Sequence, residues 1–172
     1  MEYFDLVDRD DVVIGVTDKE TAHREGHIHR IAAVYVFDKQ SRLFMQEHLK
    51  SGGRYDNSIG GHVVTGESYE AAVQRESYEE LGITGAMEKV SIFYPQQALK
   101  GSKNLHVYGL YEITVADNWQ FIPNKEVEKI SPLPIAEIVT LMNNHPEKFV
   151  TGFIYTMKEY LKQKNLPYEI FY

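Results

Sequence analysis

Three glutamates, Glu76, Glu79 and Glu80, stand at spacings that place them together on one side of a helix. The stretch 67–81 contains no proline or glycine, which favours a helix there. Three negative charges on one helix face repel each other, so we expect a compensating partner. A hard divalent cation is one such partner, because Mg²⁺ is usually held by a few carboxylates together with substrate phosphates. A solvated acidic face without a metal is the alternative interpretation.

The residues around these glutamates add helix signals and a positive charge. Gly66 and Gly82 bracket the stretch, and Ser68 is a residue type that caps helix starts. Arg75 immediately precedes the first glutamate and lies four positions before the second. It could orient a carboxylate through charge-assisted hydrogen bonds, or it could form an ordinary salt bridge on the helix surface.

The spacing of charged and glycine residues over 61–83 resembles a known family signature. Seven positions carry the pattern, and an aliphatic residue follows them: Gly61, Glu67, Arg75, Glu76, Glu79, Glu80, Gly82 and then Ile83. The pattern resembles the Nudix box, the signature of the Nudix hydrolase superfamily. One position departs from the box, because Ser77 stands where the family usually has an aliphatic residue. This departure concerns packing more than metal binding.

The order of the expected elements predicts an α+β fold with a mixed β-sheet. The resemblance implies a Nudix-type α/β/α sandwich, in which the box forms a loop, a helix and a loop beside the sheet. We expect a single domain over residues 1–172, with C-terminal helices at about 134–163. The expected elements are a hairpin over 2–16, strands over 31–37, 43–47, 90–94 and 105–115, a helix entrance at 131–134, and helices over 135–142 and 153–162.

The resemblance implies hydrolysis of a diphosphate linkage in a nucleoside diphosphate derivative or a related small phosphorylated compound, with Mg²⁺ or Mn²⁺ as cofactor. Arg75, Glu76 and Glu79 are the expected catalytic residues. The expected metal ligands are Glu76, Glu79, Glu80, the carbonyl of Gly60 or Gly61, and Glu67 as an outer ligand or neighbour. The general base is left open between Glu79 and the loop residue Glu126.

The stretches on either side of the box resemble isopentenyl-diphosphate isomerase and its close Nudix relatives. The resembling positions are His23, His29, Arg30, the run 55–62 and the run 66–68. In the isomerase, the equivalents of His23, His29 and His62 help to bind a metal, which implies a second metal site in this chain. The isomerase's catalytic cysteine corresponds to Gly60, and this chain contains no cysteine. We therefore expect an isomerase-like hydrolase rather than an isomerase.

Several further groups could belong either to a site or to ordinary structure. Near the later strand, where the isomerase uses acidic residues, this chain offers Asn104 and His106. Histidines also serve as hydrogen-bonding groups at strand entrances. The candidate phosphate contacts and base-stacking rings are Lys50, Arg54, Lys100, Lys103, Tyr55, Tyr94 and Tyr108. With 12 tyrosines in the chain, each ring is better explained as a core or rim residue, and each cation as a solvated loop charge.

Composition narrows the classes of function. A chain of 172 residues fits one domain, and its net charge of −7 argues against a nonspecific nucleic-acid or membrane surface. We expect a small-molecule diphosphate substrate, with no nucleic-acid polymer and no membrane as partner, while a homodimer is left open. The first residues lack a basic and apolar signal region, so the cytoplasm is the expected location.

A noncatalytic nucleotide-binding module on the same scaffold is the alternative function, which the intact set of glutamates argues against.

Overall fold

The computed structural model describes residues 2–48, 52–97, 99, 105–123, 127 and 129–171. Within these residues the strands are β1 (Tyr3–Val7), β2 (Val13–Asp18), β3 (His29–Phe37), β4 (Arg42–His48), β5 (Arg54–Asp56), β6 (Ile59–His62), β7 (Glu88–Phe93), β8 (His106–Thr114) and β9 (Lys129–Pro134). The helices are α1 (Lys19–Glu25), α2 (Tyr69–Leu81), α3 (Ile135–Asn144) and α4 (Thr151–Gln163), with a short 3₁₀ helix at Pro146–Lys148. None of these helices is long and apolar enough to cross a membrane.

The described strands form one mixed sheet around β3. This strand pairs in parallel with β8 along its whole length, and it pairs antiparallel with β6 and, at one residue, with β1. β4 pairs with β5 and β9, β1 pairs with β2, and β7 pairs with β8. β3 pairs with β4 at one residue pair, Phe37↔Leu43, beside the turn that joins the two strands.

Alternate side chains of β3 enter two different cores. Tyr35 and Phe37 pack with α3 and α4 on one face of the sheet. Val34 and Val36 pack with α2 on the other face. All four are buried, and each such side chain contributes about 1.5–3 kcal/mol of hydrophobic stabilisation. The α+β class with helices on both faces of a mixed sheet is confirmed.

The sequence interpretation did not anticipate α1, although the chain carries a local signal for it. The side chain of Asp18 accepts a hydrogen bond from the backbone N–H of Thr21 at 3.0 Å and caps the start of the helix. Gly26 ends it in the left-handed conformation, with φ at 75°. A capping aspartate followed within a few turns by a helix-closing glycine is a recognisable start and stop. The strands β5 and β6 were also missed, since that stretch is polar and rich in glycine.

The predicted helix entrance at 131–134 leads directly into α3, whose N-cap is Pro134, but the stretch itself is part of strand β9, which was not predicted. It pairs antiparallel with β4 from Lys129↔Glu47 to Pro134↔Arg42. Prolines lack the N–H that a central strand needs on both sides, but an edge strand tolerates them. β9 pairs with no described strand other than β4. The helix begins directly afterwards at Ile135.

The residues after α4 turn back onto the molecule. Leu166 and Ile170 pack against the core beneath α3 and α4. The amide of Asn143 donates to the carbonyl of Glu169 at 2.8 Å and accepts from the N–H of Phe171 at 3.0 Å. The described C-terminal residues therefore pack on the chain through Leu166 and Ile170, whereas the ring of Phe171 is exposed.

We expect Gly109→Ala to destabilise the protein by about 1–3 kcal/mol, because a Cβ at this position of β8 would overlap the buried ring of Tyr69. Chemical denaturation measures the change. Gly15→Ala is the matched control, since a Cβ there makes ordinary contact with Leu6 at 3.7 Å and should alter stability by less than about 0.5 kcal/mol. Equal effects in the two variants would contradict the close packing of α2 on β8.

Candidate active site

Helix α2 carries the three predicted glutamates and begins and ends as its sequence predicts. The Ser68 hydroxyl accepts a hydrogen bond from the N–H of Ala71 at 3.1 Å. Gly82 closes the helix with φ at 64°. The departure from the box at Ser77 is accommodated, because this residue is fully buried and its hydroxyl lies 3.5 Å from the sulfur of Met87.

The glutamates of α2 meet β6 at a polar cavity of about 340 Å³. Its walls are formed by Glu2, Lys19, Gln46, Gly60, Gly61, His62, Val64, Arg75, Glu76, Glu79 and Glu80. Ligand pockets in proteins are typically about 300–1,000 Å³, so the cavity suits a small polar ligand. A larger cavity of about 740 Å³ contains Glu112, but that carboxylate is already bonded to the hydroxyl of Tyr160 and the ammonium of Lys164.

Arg75 lies at the centre of this acidic cluster. Its guanidinium donates to both oxygens of Glu67, at 3.0 and 2.9 Å, and to Glu76 at 2.5 Å. It also donates to the backbone carbonyl of His62 at 3.0 Å, whereas Glu79 is 3.5 Å away. Hydrogen bonding to Glu67 raises the pKa of Arg75, so the guanidinium stays charged. Glu67 is thus the partner of Arg75 and is not among the residues that line the cavity.

Glu76 lies against the backbone of β6. A Cβ on Gly61 would overlap the Glu76 carboxylate, so glycine is required for this close approach. Burial raises the pKa of Glu76, although Arg75 beside it acts in the opposite direction. The box glycine therefore makes room for the first box glutamate.

Glu80 is the most deeply placed carboxylate of the three. Gln46 of β4 donates from its amide nitrogen to Glu80 and, at 2.7 Å, to the carbonyl of Ser58. Burial raises the pKa of Glu80 to about 8, and the negative charges of Glu76 and Asp56 act in the same direction. Gln46 was missed by sequence reasoning, and its only signal is an amide directly after the apolar run 43–45.

Lys19 is a second residue of the cavity that sequence reasoning missed. It is the first residue of α1, and its ammonium pairs with Glu2 at 3.2 Å at the cavity wall. The Arg75 guanidinium is already engaged by carboxylates. Among the described residues that line the cavity, Lys19 is therefore the cation best placed to meet a bound anion.

The other predicted contacts that fall within the described residues do not line this cavity. Lys50, Lys100, Lys103, Asn104 and Glu126 lie outside the described residues. Arg54 is exposed on β5. Each candidate stacking ring already packs against another side chain: Tyr55 against Phe149, Tyr94 under the guanidinium of Arg9, and Tyr108 against Phe93.

Four histidines form a second cluster, and one of them, His62, also lines the cavity described above. The cluster brings together the predicted His23, His29 and His62 with His106, and one ring nitrogen of each lies within 4.8 Å of the others. They come from α1, β3, β6 and β8. The buried ring of Phe4 stacks on two of them, with centroids 4.6 Å from His62 and 5.2 Å from His29.

Three of these imidazoles are neutral at ordinary pH. Burial lowers the pKa of His29 to about 4, that of His106 to about 3, and that of His62 to about 2. The Nδ1 of His29 is bonded to the carbonyl of His27 at 2.9 Å, so Nδ1 carries the proton and Nε2 is a free lone pair. Neutral ring nitrogens are the form that binds transition metals, so this donor set fits such an ion.

Comparison with known proteins places the chain in a family. The family model described as the NUDIX domain matches residues 27–153. The chain therefore belongs to the Nudix family, whose members generally act on pyrophosphate bonds. The isopentenyl-diphosphate Delta-isomerase of Serratia proteamaculans is 33% identical over 158 residues, covering 90% of this chain and 88% of that protein. An uncharacterized Nudix hydrolase of Streptomyces coelicolor is 38% identical over 88 residues, or 49% of each chain.

Solved structures agree on the fold. A crystal structure of a protein from Deinococcus radiodurans superposes with a TM-score of 0.72 at 24% identity and covers 91% of this chain and 96% of its own. The MutT protein of Methanosarcina mazei superposes with a TM-score of 0.59 at 16% identity. The match covers 78% of this chain and 91% of that protein. The expected Nudix-type sandwich is confirmed.

We expect the metal-free protein, kept in chelator, to lose stability as the pH rises from about 5 to about 9. The folded pKa of Glu80 is raised from 4.5 to about 8. The contribution of protonated Glu80 to the free energy of unfolding is fully present below the pKa of the unfolded state. It is lost as the pH rises through the pKa of the folded state. The loss is on the order of a few kcal/mol, since one pKa unit corresponds to about 1.4 kcal/mol. Denaturant titrations at each pH measure it.

Glu80→Gln should flatten this dependence, while Glu137→Gln, on the exposed side of α3, should leave it unchanged. Added Mg²⁺ should restore stability at the alkaline end if a cation neutralises the cluster. A slope that is identical in wild type and Glu80→Gln would show that this carboxyl is not the buried titrating group.

Proposed function

We propose that this protein is a metal-dependent Nudix hydrolase that cleaves the diphosphate linkage of a nucleoside diphosphate derivative or a related small phosphorylated compound. The observation that carries the proposal is the convergence of Glu76, Glu79 and Glu80 on one cavity with a single, already engaged arginine. Burying carboxylates together is costly unless positive charge compensates them. Their oxygens are the ligands that Mg²⁺ and Mn²⁺ prefer.

In this proposal Glu76, Glu79 and Glu80 hold Mg²⁺ or Mn²⁺, with the carbonyl of Gly60 as a further ligand. A divalent cation bound there neutralises phosphate charge and lowers the pKa of a bound water. The chain's own contribution is preorganisation, because oriented groups stabilise a transition state without reorganising. Arg75 and Gln46 fix Glu76 and Glu80 in place.

Glu67 and Glu79 take different roles from each other. Both oxygens of Glu67 are engaged by Arg75, so we assign it to orienting that arginine rather than to the metal. Glu79 is half exposed and only loosely held, with the Arg75 nitrogen 3.5 Å away. It is therefore free to accept a proton from an attacking water, and we assign it as the general base. Lys19, which also lines the cavity, would contact a substrate phosphate.

The relatives named isopentenyl-diphosphate isomerase make isomerisation the competing activity. Protonating and deprotonating an alkene requires acid and base groups on opposite faces of the substrate. The resemblance to the isomerase puts its catalytic cysteine at Gly60, and the present sequence contains no cysteine. The later strand presents His106, which belongs to the histidine cluster. These substitutions favour hydrolysis over isomerisation.

We expect Glu79→Gln to lower turnover by about 100-fold or more while the protein remains folded, since it removes the proposed base and a metal ligand. Phosphate release should be measured over a panel of nucleoside di- and triphosphates, nucleotide sugars, dinucleotides and isopentenyl diphosphate. Each compound is tested with Mg²⁺, with Mn²⁺ and with chelator. Turnover should require the metal.

Glu70→Gln is the matched control, because Glu70 lies on the same helix outside the cavity and is bonded to the hydroxyl of Tyr111. It should retain full turnover. No release from any compound with either metal would remove the hydrolase proposal for these substrates and favour a noncatalytic nucleotide-binding role. Conversion of isopentenyl diphosphate to its allylic isomer would support the competing activity.

A further inference from the structure

We infer that the outer edge of strand β2 is a docking surface for a second copy of this chain. In the inferred dimer the two β2 strands pair antiparallel about a two-fold axis at Gly15, so that the two sheets become one. The inference does not rest on the proposed hydrolase activity, because it concerns a surface outside the carboxylate cavity.

Strand β2 is apolar although it lies at the surface. None of its six residues is buried. Four β-branched apolar side chains in the run 12–16 are 48–67% exposed, namely Val12, Val13, Ile14 and Val16. Scattered apolar residues are normal on a protein surface, whereas a contiguous group of them marks an interaction surface. Only Gly15 interrupts this group.

The outer edge of β2 offers backbone groups to another strand. β2 is the terminal strand in the order of the sheet, and within the described residues it pairs only with β1. The N–H of Lys19 donates to the carbonyl of Glu2 on the β1 side at 3.1 Å. Because successive residues direct their backbone groups to opposite sides of a strand, those of Val16 and Asp18 face outward. Such an edge is a template for strand addition.

Two other strands that pair on one side within the described part of the sheet carry features that protect an edge. β7 begins with the exposed charges of Glu88 and Lys89, and β9 contains two prolines. Charges and prolines discourage association between strands. From Val12 to Thr17 the sequence has neither, and the irregularity of β2 is a bulge opposite Val7, at the turn end of the hairpin. The edge of β2 is thus less protected than those of β7 and β9.

The side chains of β2 complement a second copy of the same strand. A two-fold axis at Gly15 places Ile14 opposite the partner's Val16, and Val13 opposite the partner's Thr17. Symmetry repeats each of these pairs on the other side of the axis. Cross-strand pairs of β-branched residues stabilise a sheet. A contact that uses the same patch on both copies is the usual form of a closed dimer.

Charge selects the same register. With the axis at Gly15, Asp11 comes opposite the partner's Lys19 at both ends of the paired segment, and half of the Lys19 side chain is exposed. An axis at Ile14 would instead set Asp10 opposite the partner's Asp18. Like charges directly opposite each other destabilise a sheet, whereas opposite charges stabilise it.

The exposed area is sufficient for a dimer of modest affinity. The four apolar side chains and the outer backbone of β2 expose roughly 500 Å² per copy, so that pairing would bury on the order of 1,000 Å², the lower bound for a specific interface. A dimer of this size is expected to dissociate on dilution.

A partner strand would also support a weakly attached part of the fold. The hairpin of β1 and β2 pairs with the rest of the described sheet through one residue pair, Leu6↔His29. Two-stranded hairpins are marginal without further packing. The open end of this hairpin carries Glu2 and leads to Lys19, and both residues line the carboxylate cavity. Dimerisation would therefore steady one wall of the cavity in each copy.

Sedimentation velocity of the untagged full chain tests the inference. Over about 1–100 μM protein, the wild type should shift from monomer to dimer and no further, since an interface of this size is expected to give micromolar affinity. Val16→Lys should weaken dimerisation by about 100-fold or more, because symmetry buries two charges in each dimer.

Two further variants guard against misfolding and general surface effects. Ile14→Lys should weaken the dimer as Val16→Lys does, and circular dichroism should show that both variants are folded. Ile92→Lys is the matched control, since Ile92 is a 41% exposed strand residue of β7. It should dimerise as the wild type does.

A single introduced cysteine tests the register. Gly15→Cys should form a disulfide-linked dimer under mild oxidation, because directly opposed residues in a non-hydrogen-bonded pair have Cα atoms about 4.5 Å apart, within the range that a disulfide spans. The position tolerates a side chain, since a Cβ there lies 3.7 Å from Leu6. The chain has no native cysteine to interfere, and Ile92→Cys should give no covalent dimer.

Three results would overturn the inference. The first is a wild type that remains monomeric at the highest concentration, which would leave the edge to a different partner. The second is an assembly larger than a dimer, since edge pairing about a two-fold axis is closed. The third is a dimer that survives both lysine substitutions in β2, or one that Gly15→Cys does not link.

Discussion

The guanidinium of Arg75 joins helix α2 to strand β6, and the geometry of the carboxylate cavity depends on that connection. It neutralises Glu67 and Glu76 while its remaining donor reaches the backbone of His62. Removing Arg75 would leave the charges of Glu67 and Glu76, each 13% exposed, without their partner, which is costly for carboxylates held largely away from water. An ordinary helix salt bridge would use the contact to Glu79, which is the longest of the set at 3.5 Å. An ordinary salt bridge on the helix surface therefore accounts for only the weakest of the contacts that Arg75 makes.

Strand β6 separates two clusters of side chains of metal-ligating types, carboxylates and imidazoles. Neighbouring residues of a strand point to opposite faces, so Gly61 faces α2 while His62 joins the histidine cluster. On one face, the missing side chain admits the Glu76 carboxylate. On the other face, imidazole nitrogens gather around the stacked ring of Phe4. A single four-residue strand thus positions oxygen donors on one side and nitrogen donors on the other, and Lys19 connects the two regions through α1.

Apart from the family resemblance, which grouped His23, His29 and His62, what the sequence could predict was local. The limits of α2 and the shared face of its glutamates follow from caps and from helical spacing, which involve neighbours in the chain. Features that depend on pairing between distant strands could not be predicted in this way. Gln46 meets Glu80 only because β4 lies beside the box helix, and His106 meets His29 only through the parallel register of β3 and β8. Strand β9 was not predicted, because its prolines are acceptable only at a sheet edge.

The most direct test of the hydrolase assignment follows the solvent atoms. The compound that turns over, together with isopentenyl diphosphate, should be incubated with Mg²⁺ in water enriched in oxygen-18 and separately in deuterium oxide. We expect one oxygen-18 atom in a phosphate product for each bond cleaved. We also expect no deuterium on the carbon atoms of isopentenyl diphosphate. Deuterium on those carbons without oxygen-18 in phosphate would contradict hydrolysis and establish isomerase chemistry on this scaffold.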